Sequence, residues 1–221
     1  MATLQCDRSS DGANLNAGIQ RTGAARPDFS RAHTFNIDEF VGVPAQHRRS
    51  FRAFMDRHLF CRVNIRTDHV HFLDGTAQDL DAECARFERA IVSAGGMDLL
   101  VLGIGANAHV GFNEPAAALF ARTHRARLTL MTRRANAGPF AGRPSMVPRE
   151  ALTMGIRTML TARTIVLIAT GRSKARAVRA MRSGRITPTA PASFLQLHDD
   201  VTLVLDRAAA GVSRSKDLRY I

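Results

Sequence analysis

The chain has 221 residues, 45% of them hydrophobic, and a formal charge of +12. This length and composition predict one globular domain, and the lack of any run of about 18 apolar residues excludes a membrane-spanning helix. The charge alone would suit nucleic acid or a phosphorylated small molecule. Because the basic residues are scattered and not interleaved with aromatic side chains, we expect no nucleic-acid partner. The first residues lack the apolar segment of a secretory signal, so a cytoplasmic location is expected.

The recognisable elements begin after residue 27. Residues 1–27 are polar, rich in glycine and alanine and without periodicity, and we expect this segment to be poorly ordered. From residue 28 to residue 221, "RAHTFNI" predicts a strand, and "SFRAFMDRHLF" and "QDLDAECARFERAIVSAG" predict helices. Further along, "MDLLVLGIG" and "TIVLIATG" predict buried strands, "SKARAVRAMRSG" a helix and "DVTLVLD" a last strand.

The alternation of strands and helices predicts the fold class. Strands that are continuous apolar runs indicate an α/β domain with a Rossmann-like parallel sheet and helices on both faces. In such sheets, ligands bind beyond the carboxyl ends of the strands. Three predicted strands end in polar segments, at residues 38–39, 107–114 and 171–174. We expect these three loops to converge on one crevice.

The segment "GIGANAHVGFNEP" carries the densest set of chemical groups. Gly103 and Gly105 allow a sharp turn and the close approach of a ligand to the backbone. His109 can exchange a proton near neutral pH, and Glu114, held extended by the following proline, could orient its imidazole. The functional interpretation is an acid–base pair. The alternative is a core histidine with a surface glutamate.

Two other loops carry single candidates. Asp38 could be a base for a carbon-bound proton, or the N-cap of a helix. Lys174, in the predicted first turn of a helix, could hold an anion at the helix N-terminus, or be a solvated lysine. His69 and His71 alternate along an extended stretch, but no third ligand is near in sequence, so no metal site is predicted.

Four sequence blocks, taken together, point to a known family. "TFNIDEFVGV", "GIGANAHVGFNEP", "VPREALTMGI" and "LIATGRSKARAV" occur in an order and spacing that resemble the glucosamine-6-phosphate deaminase family. The likeness runs from about residue 28 to the terminal "LRYI". The 6-phosphogluconolactonases share a Gly-x-Gly-x-x-x-His loop with this family, but they are not expected to carry "FNEP".

The resemblance implies conversion of glucosamine 6-phosphate to fructose 6-phosphate and ammonia, without a metal or organic cofactor. His109 would open the sugar ring, supported by Glu114 and Asn107. Asp38 would move a proton between C2 and C1, and Lys174 would contact the phosphate of the sugar-phosphate partner. For this step in amino-sugar catabolism we expect the enzyme class hydrolase. The resemblance leaves open whether the protein is a monomer or a homo-oligomer.

Several positions depart from the family pattern. No strand with a Thr/Ser- and Gly-rich phosphate loop precedes "TFN", Gly138 stands where a phosphate-binding arginine is usual, and Ala108 replaces a glycine. The residues of allosteric members after "NEP" are also missing. Each lost phosphate contact costs roughly 1.5–3 kcal/mol, and a missing strand exposes a neighbouring strand edge. We therefore expect an impaired deaminase; the alternative is a non-catalytic sugar-phosphate-binding relative or a decayed gene copy.

Overall fold

A computed structural model of the protein describes residues 27–212. The expectation of a poorly ordered segment over residues 1–27 therefore falls outside the described residues except for Pro27, as does the terminal "LRYI". The strands are β1 Thr34–Phe35, β2 Asp38–Phe40, β3 Val70–His71, β4 Leu99–Gly103, β5 His124–Arg127, β6 Glu150–Thr153, β7 Thr164–Ala169 and β8 Val201–Leu205. The α-helices are α1 Phe51–His58, α2 Leu80–Ser93, α3 Leu130–Ala135, α4 Ile156–Met159 and α5 Ala175–Met181.

The largest parallel sheet has the strand order β4-β7-β8. Every second side chain of β4 and β7 is buried, among them Leu100, Leu102 and Leu167. These side chains share a core with the apolar face of α2, where Phe87 and Ile91 are buried. The predicted α/β class with a parallel sheet is confirmed.

Helix α2 shows how the sequence sets the element boundaries. The Asp79 side chain accepts hydrogen bonds from the first backbone N–H groups of the helix and thereby caps its positive end. At the other end, Gly95 and Gly96 both have positive φ angles, of 88° and 94°. A residue with a Cβ avoids this left-handed region, so the two glycines end the helix where the sequence predicts.

A second, antiparallel sheet has the order β2-β6-β5 and was not predicted. Its strands are only three or four residues long, and β5 reads "HRAR", which has no hydrophobic alternation. A separate apolar cluster forms beneath it, with Phe40, Phe112 and Phe140 at its centre. This sheet matters for the site because Asp38 begins β2 and is paired with Thr153 of β6.

The parallel strands do not form one continuous sheet. Strand β1 pairs only with β3, through two residue pairs, and β4 pairs only with β7 within residues 27–212. One edge of β4 therefore has no partner strand in this range. The outward side chains Leu99 and Val101 of β4 are 57% and 54% exposed.

No helix within residues 27–212 is both long enough and apolar enough to cross a membrane.

Candidate active site

The loop after β4 folds tightly around His109. The backbone N–H of Gly105 donates to the carbonyl oxygen of His109 over 2.9 Å. A Cβ built on Gly105 would lie only 2.3 Å from the His109 ring, so the imidazole occupies the space that any side chain at position 105 would need. Gly103, by contrast, has open space at its Cβ position. Of the two predicted glycines, only Gly105 must lack a side chain, because the His109 ring fills the space that it would need.

Ala108 is strained in this loop. Its φ angle is 66°, which lies in the left-handed region, and its side chain is buried. A residue with a Cβ pays about 1–2 kcal/mol in this region, whereas glycine does not. Glycine would adopt this conformation without that cost, which fits the glycine that the family pattern has at position 108.

His109 lies in a network of side-chain contacts with Glu114. The His109 Nδ1 is 3.7 Å from Glu114 Oε2, and the two side chains are only 16% and 10% exposed. Asn107 Nδ2 donates to the same carboxylate oxygen over 2.9 Å. The interpretation of Glu114 as a surface residue is therefore excluded, and the predicted trio of Asn107, His109 and Glu114 is brought together.

Two threonines that the sequence analysis did not single out complete this network. The backbone N–H and the hydroxyl of Thr129 both contact Glu114 Oε1, each at 3.1 Å. The hydroxyl oxygen of Thr132, on α3, lies 3.4 Å from His109 Nδ1. The contacts therefore cluster on the Nδ1 side of the ring, and Nε2 has no hydrogen-bond partner among the described residues.

The surroundings of His109 favour its neutral form. Burial lowers the pKa of His109, the negative charge of Glu114 opposes this effect, and the positive charge of Lys174 adds to it. A neutral imidazole can either accept or donate a proton through its free nitrogen. Because the charge of Lys174 affects the pKa of His109, the two side chains lie near each other.

Asp38 approaches the His109 loop from the antiparallel sheet. The Thr153 hydroxyl donates a hydrogen bond to Asp38 Oδ1 and accepts one from the backbone N–H of Phe112 over 3.0 Å. Gly111 has a φ angle of 55°, and a Cβ on it would lie 3.2 Å from Asp38 Oδ1. Asp38 thus contacts the segment just two residues beyond His109.

The Asp38 carboxyl titrates near neutrality. Burial raises the pKa of Asp38 to about 7, although hydrogen bonds from Thr153 and Phe112 lower it and the charge of Glu39 raises it further. A carboxyl group with such a pKa can accept and return a proton at neutral pH.

The alternative role of Asp38 as a helix cap is taken by other residues. Ser50 is the N-cap of α1, and its side chain accepts from the backbone N–H of Ala53. The buried Glu39 carboxylate accepts from the backbone N–H groups of Phe51 and Arg52 at the start of the same helix. Glu39 therefore holds α1 against β2, and the Asp38 side chain takes no part in capping this helix.

Lys174 lies in a short 3-10 turn, Arg172–Lys174, that leads directly into α5. The predicted position in the first turn of the α-helix is thus shifted by one residue. The preceding Gly171 has a φ angle of 87°, and its backbone N–H donates to Asp206 Oδ2 just after β8. The ends of β7 and β8 therefore set the direction of the loop that carries Lys174.

Ionisable side chains beyond the carboxyl end of a parallel α/β sheet, with a lysine nearby, are typical of α/β enzymes that act on small anionic substrates. The family described as glucosamine-6-phosphate isomerases/6-phosphogluconolactonase matches residues 12–204. The chain belongs to this family.

Individual relatives give a narrower comparison. Glucosamine-6-phosphate deaminase of Rhodopirellula baltica is 48% identical over 194 residues, which cover 88% of this chain and 77% of that protein. Glucosamine-6-phosphate deaminase 2 of Bacillus subtilis is 44% identical over 188 residues, covering 85% and 76%. A solved monomeric glucosamine-6-phosphate deaminase superposes with a TM-score of 0.82 at 37% identity, covering 96% of this chain and 86% of the other.

These comparisons also correct one prediction. The expected enzyme class, hydrolase, is wrong, because the matching family is described as isomerases and its relatives are deaminases. The 6-phosphogluconolactonase of Trypanosoma cruzi, at 21% identity and a TM-score of 0.64, shares the fold.

Proposed function

We propose that the protein converts glucosamine 6-phosphate to fructose 6-phosphate and ammonia. The observation that carries the proposal is the pairing of a carboxyl group of pKa about 7, Asp38, with the His109 loop. The names of the relatives, all glucosamine-6-phosphate deaminases, support the same substrate.

His109 is suited to ring opening. Its free Nε2 can take the proton from the hydroxyl at C1 and deliver it to the ring oxygen as the bond between C1 and that oxygen breaks, which gives the open-chain aldehyde. The Nδ1 side is occupied by Glu114 and Thr132, which fix the orientation of the ring. Glu114 also favours the imidazolium form that exists transiently when the ring nitrogen takes up a proton.

Asp38 is suited to the isomerisation. In the open-chain aldehyde, its carboxylate takes the proton from C2, and the electron pair of the C–H bond forms a double bond between C1 and C2. The π electrons of the C1 carbonyl move to its oxygen, which takes a proton from the neighbouring ammonium group to give an enolamine. The same carboxyl group then returns the proton to C1, which leaves an iminium at C2. Water adds to the iminium, and the nitrogen leaves as ammonia to give the ketone. A base with a pKa near the working pH serves both directions of this transfer.

Phosphate binding is the weak part of the site. Lys174 supplies one cation, whereas Gly138 offers no side chain where the family pattern has an arginine. Each missing charge-assisted contact costs roughly 1.5–3 kcal/mol, so we expect a raised KM more than a lowered kcat. The same deficit favours the second candidate function, a non-catalytic sugar-phosphate-binding relative.

Ammonia release from glucosamine 6-phosphate by the purified chain tests the proposal, with Asp38→Asn as the control. Saturable release that disappears in the variant would support the deaminase. Folded protein that binds the sugar phosphate but releases no ammonia at any substrate concentration would refute it and favour the non-catalytic relative.

A further inference from the structure

A cavity of about 770 Å³ lies between α5 and the segment that follows it. Arg176 and Arg179 line one wall, and their spacing of three residues places them on one face of α5. Ser183, two residues beyond the end of the helix, lines the same cavity. Arg185, Thr187 and Thr189 line the other wall. Three guanidinium groups and three hydroxyl groups therefore surround one space.

Within residues 27–212, this cavity has no negative charge that would balance its arginines. No aspartate or glutamate lines it, and none of the ion pairs within residues 27–212 involves Arg176, Arg179 or Arg185. Other arginines of the protein, such as Arg52 and Arg86, do pair with carboxylates. Like charges that face one cavity repel each other, and an anion between them removes that repulsion.

The hydroxyl groups add donors to the guanidinium groups. Thr187 Oγ1 and Thr189 Oγ1 lie 2.9 Å apart, so one hydroxyl donates to the other and the proton of the second is available to a ligand. Arginine forms paired hydrogen bonds with phosphate oxygens, and threonine supports them with single ones. The half-exposed Ile186 offers an apolar wall for an uncharged part of the ligand.

We propose that this cavity is a second anion site, which binds a small molecule carrying more than one phosphate charge. Its volume lies within the usual range of roughly 300–1,000 Å³ for ligand pockets. Lys174, which acts on His109, does not line it, so the site is separate from the sugar-phosphate site and goes beyond the proposed function.

The cavity is joined to the catalytic loop through its second wall. The carbonyl oxygen of Pro188 accepts a hydrogen bond from the backbone N–H of Ala116, two residues after Glu114. The backbone N–H of Ala192 donates to the carbonyl oxygen of Ala108, next to His109. A ligand in the cavity therefore contacts a segment that supports the His109 loop.

Titration calorimetry with inorganic pyrophosphate tests the proposal. The Lys174→Ala variant removes the lysine of the sugar-phosphate site, so that any remaining binding reports on the cavity. In that background we expect one pyrophosphate per chain, and a roughly tenfold to hundredfold weaker affinity after Arg179→Ala or Arg176→Ala. Arg157→Ala is the matched control, because Arg157 is also exposed and unpaired in the described residues but lies outside the cavity, and it should leave the affinity unchanged.

Three results would overturn the proposal. Binding that is abolished by Lys174→Ala alone would place the anion in the sugar-phosphate site. Equal weakening by Arg157→Ala and Arg179→Ala would indicate a general effect of net charge. Tighter binding of a single-stranded oligonucleotide, increasing with its length, would replace the small molecule by nucleic acid. None of these results depends on whether the chain releases ammonia.

Discussion

Replacing Asp38 by asparagine should stabilise the folded protein at pH 8 while it abolishes ammonia release. Burial raises the pKa of Asp38 from its usual 3.8 to about 7, so the native state holds a carboxylate in surroundings that disfavour its charge. A difference of this size corresponds to about 4 kcal/mol. Because Asp38 keeps some contact with solvent, we expect a gain in the free energy of unfolding of about 1–4 kcal/mol.

The sign follows from the two pKa values. Below about pH 4 the carboxyl is neutral in both the folded and the unfolded protein, so its ionisation costs nothing. Between pH 4 and pH 7 the unfolded chain ionises first, which destabilises the native state progressively, and above pH 7 the cost is constant. Asparagine keeps an oxygen that accepts from the Thr153 hydroxyl, so the substitution removes the charge and retains the hydrogen bond.

Denaturant unfolding of both proteins at pH 4.5 and at pH 8 measures the effect. The variant should gain little stability at the lower pH and most of it at the higher pH. Asp199→Asn is the control, because Asp199 is exposed and makes no side-chain hydrogen bond within residues 27–212. Equal unfolding free energies of wild type and Asp38→Asn at pH 8 would refute the account of Asp38 as a buried base.

Four further substitutions test other parts of the protein. Gly138→Arg restores the arginine that the family pattern has at this position, and the exposed side chain meets open space, so the KM for glucosamine 6-phosphate should fall by tenfold or more. An unchanged KM would show that the new guanidinium does not reach the phosphate. Ala141→Gly, at an exposed residue with a φ angle of 57°, should stabilise the protein by about 0.5–1 kcal/mol. Ala108→Gly should gain less, because it also removes a buried methyl group, and a larger gain than at Ala141 would contradict this. Glu114→Gln removes a negative charge beside His109, so it should lower the pKa of His109 in an NMR titration and reduce kcat roughly tenfold to a hundredfold. A loss of kcat without a change in the pKa of His109 would indicate that Glu114 has only a structural role.

The strands of the parallel sheet and the long helix α2 could be predicted from the sequence, and the antiparallel sheet could not. Strands β4, β7 and β8 are continuous apolar runs, and α2 has both a capping aspartate and terminal glycines, so local pattern alone identifies them. Strand β6 exists because it pairs with β2 on one side and with β5 on the other, and β5 pairs with β6. Their four residues carry too little periodicity to be recognised before the partner strands are known.

The same distinction applies to the site. Asp38, His109 and Glu114 stand out because charged groups follow predicted strands. Thr132 and Thr153 do not, because a threonine in a helix or a strand has no sequence signal for the side chain that it contacts. Only the pairing of β2 with β6 and the packing of α3 against the loop bring these hydroxyl groups to the carboxylate and the imidazole.

The division of the parallel strands into two sheets has a consequence for heat inactivation. Asp38 lies in β2, which forms a three-pair ladder with β6 and follows the two-pair ladder of β1. The His109 loop follows β4, in a sheet whose ladders have five pairs each. Short ladders open locally at a lower free energy than long ones, so amide protons around Asp38 should exchange with solvent sooner than those of β7. We therefore expect Asp38 and the His109 imidazole to separate on warming while the parallel sheet is still folded, so that the shortest ladders set the temperature up to which the site stays assembled.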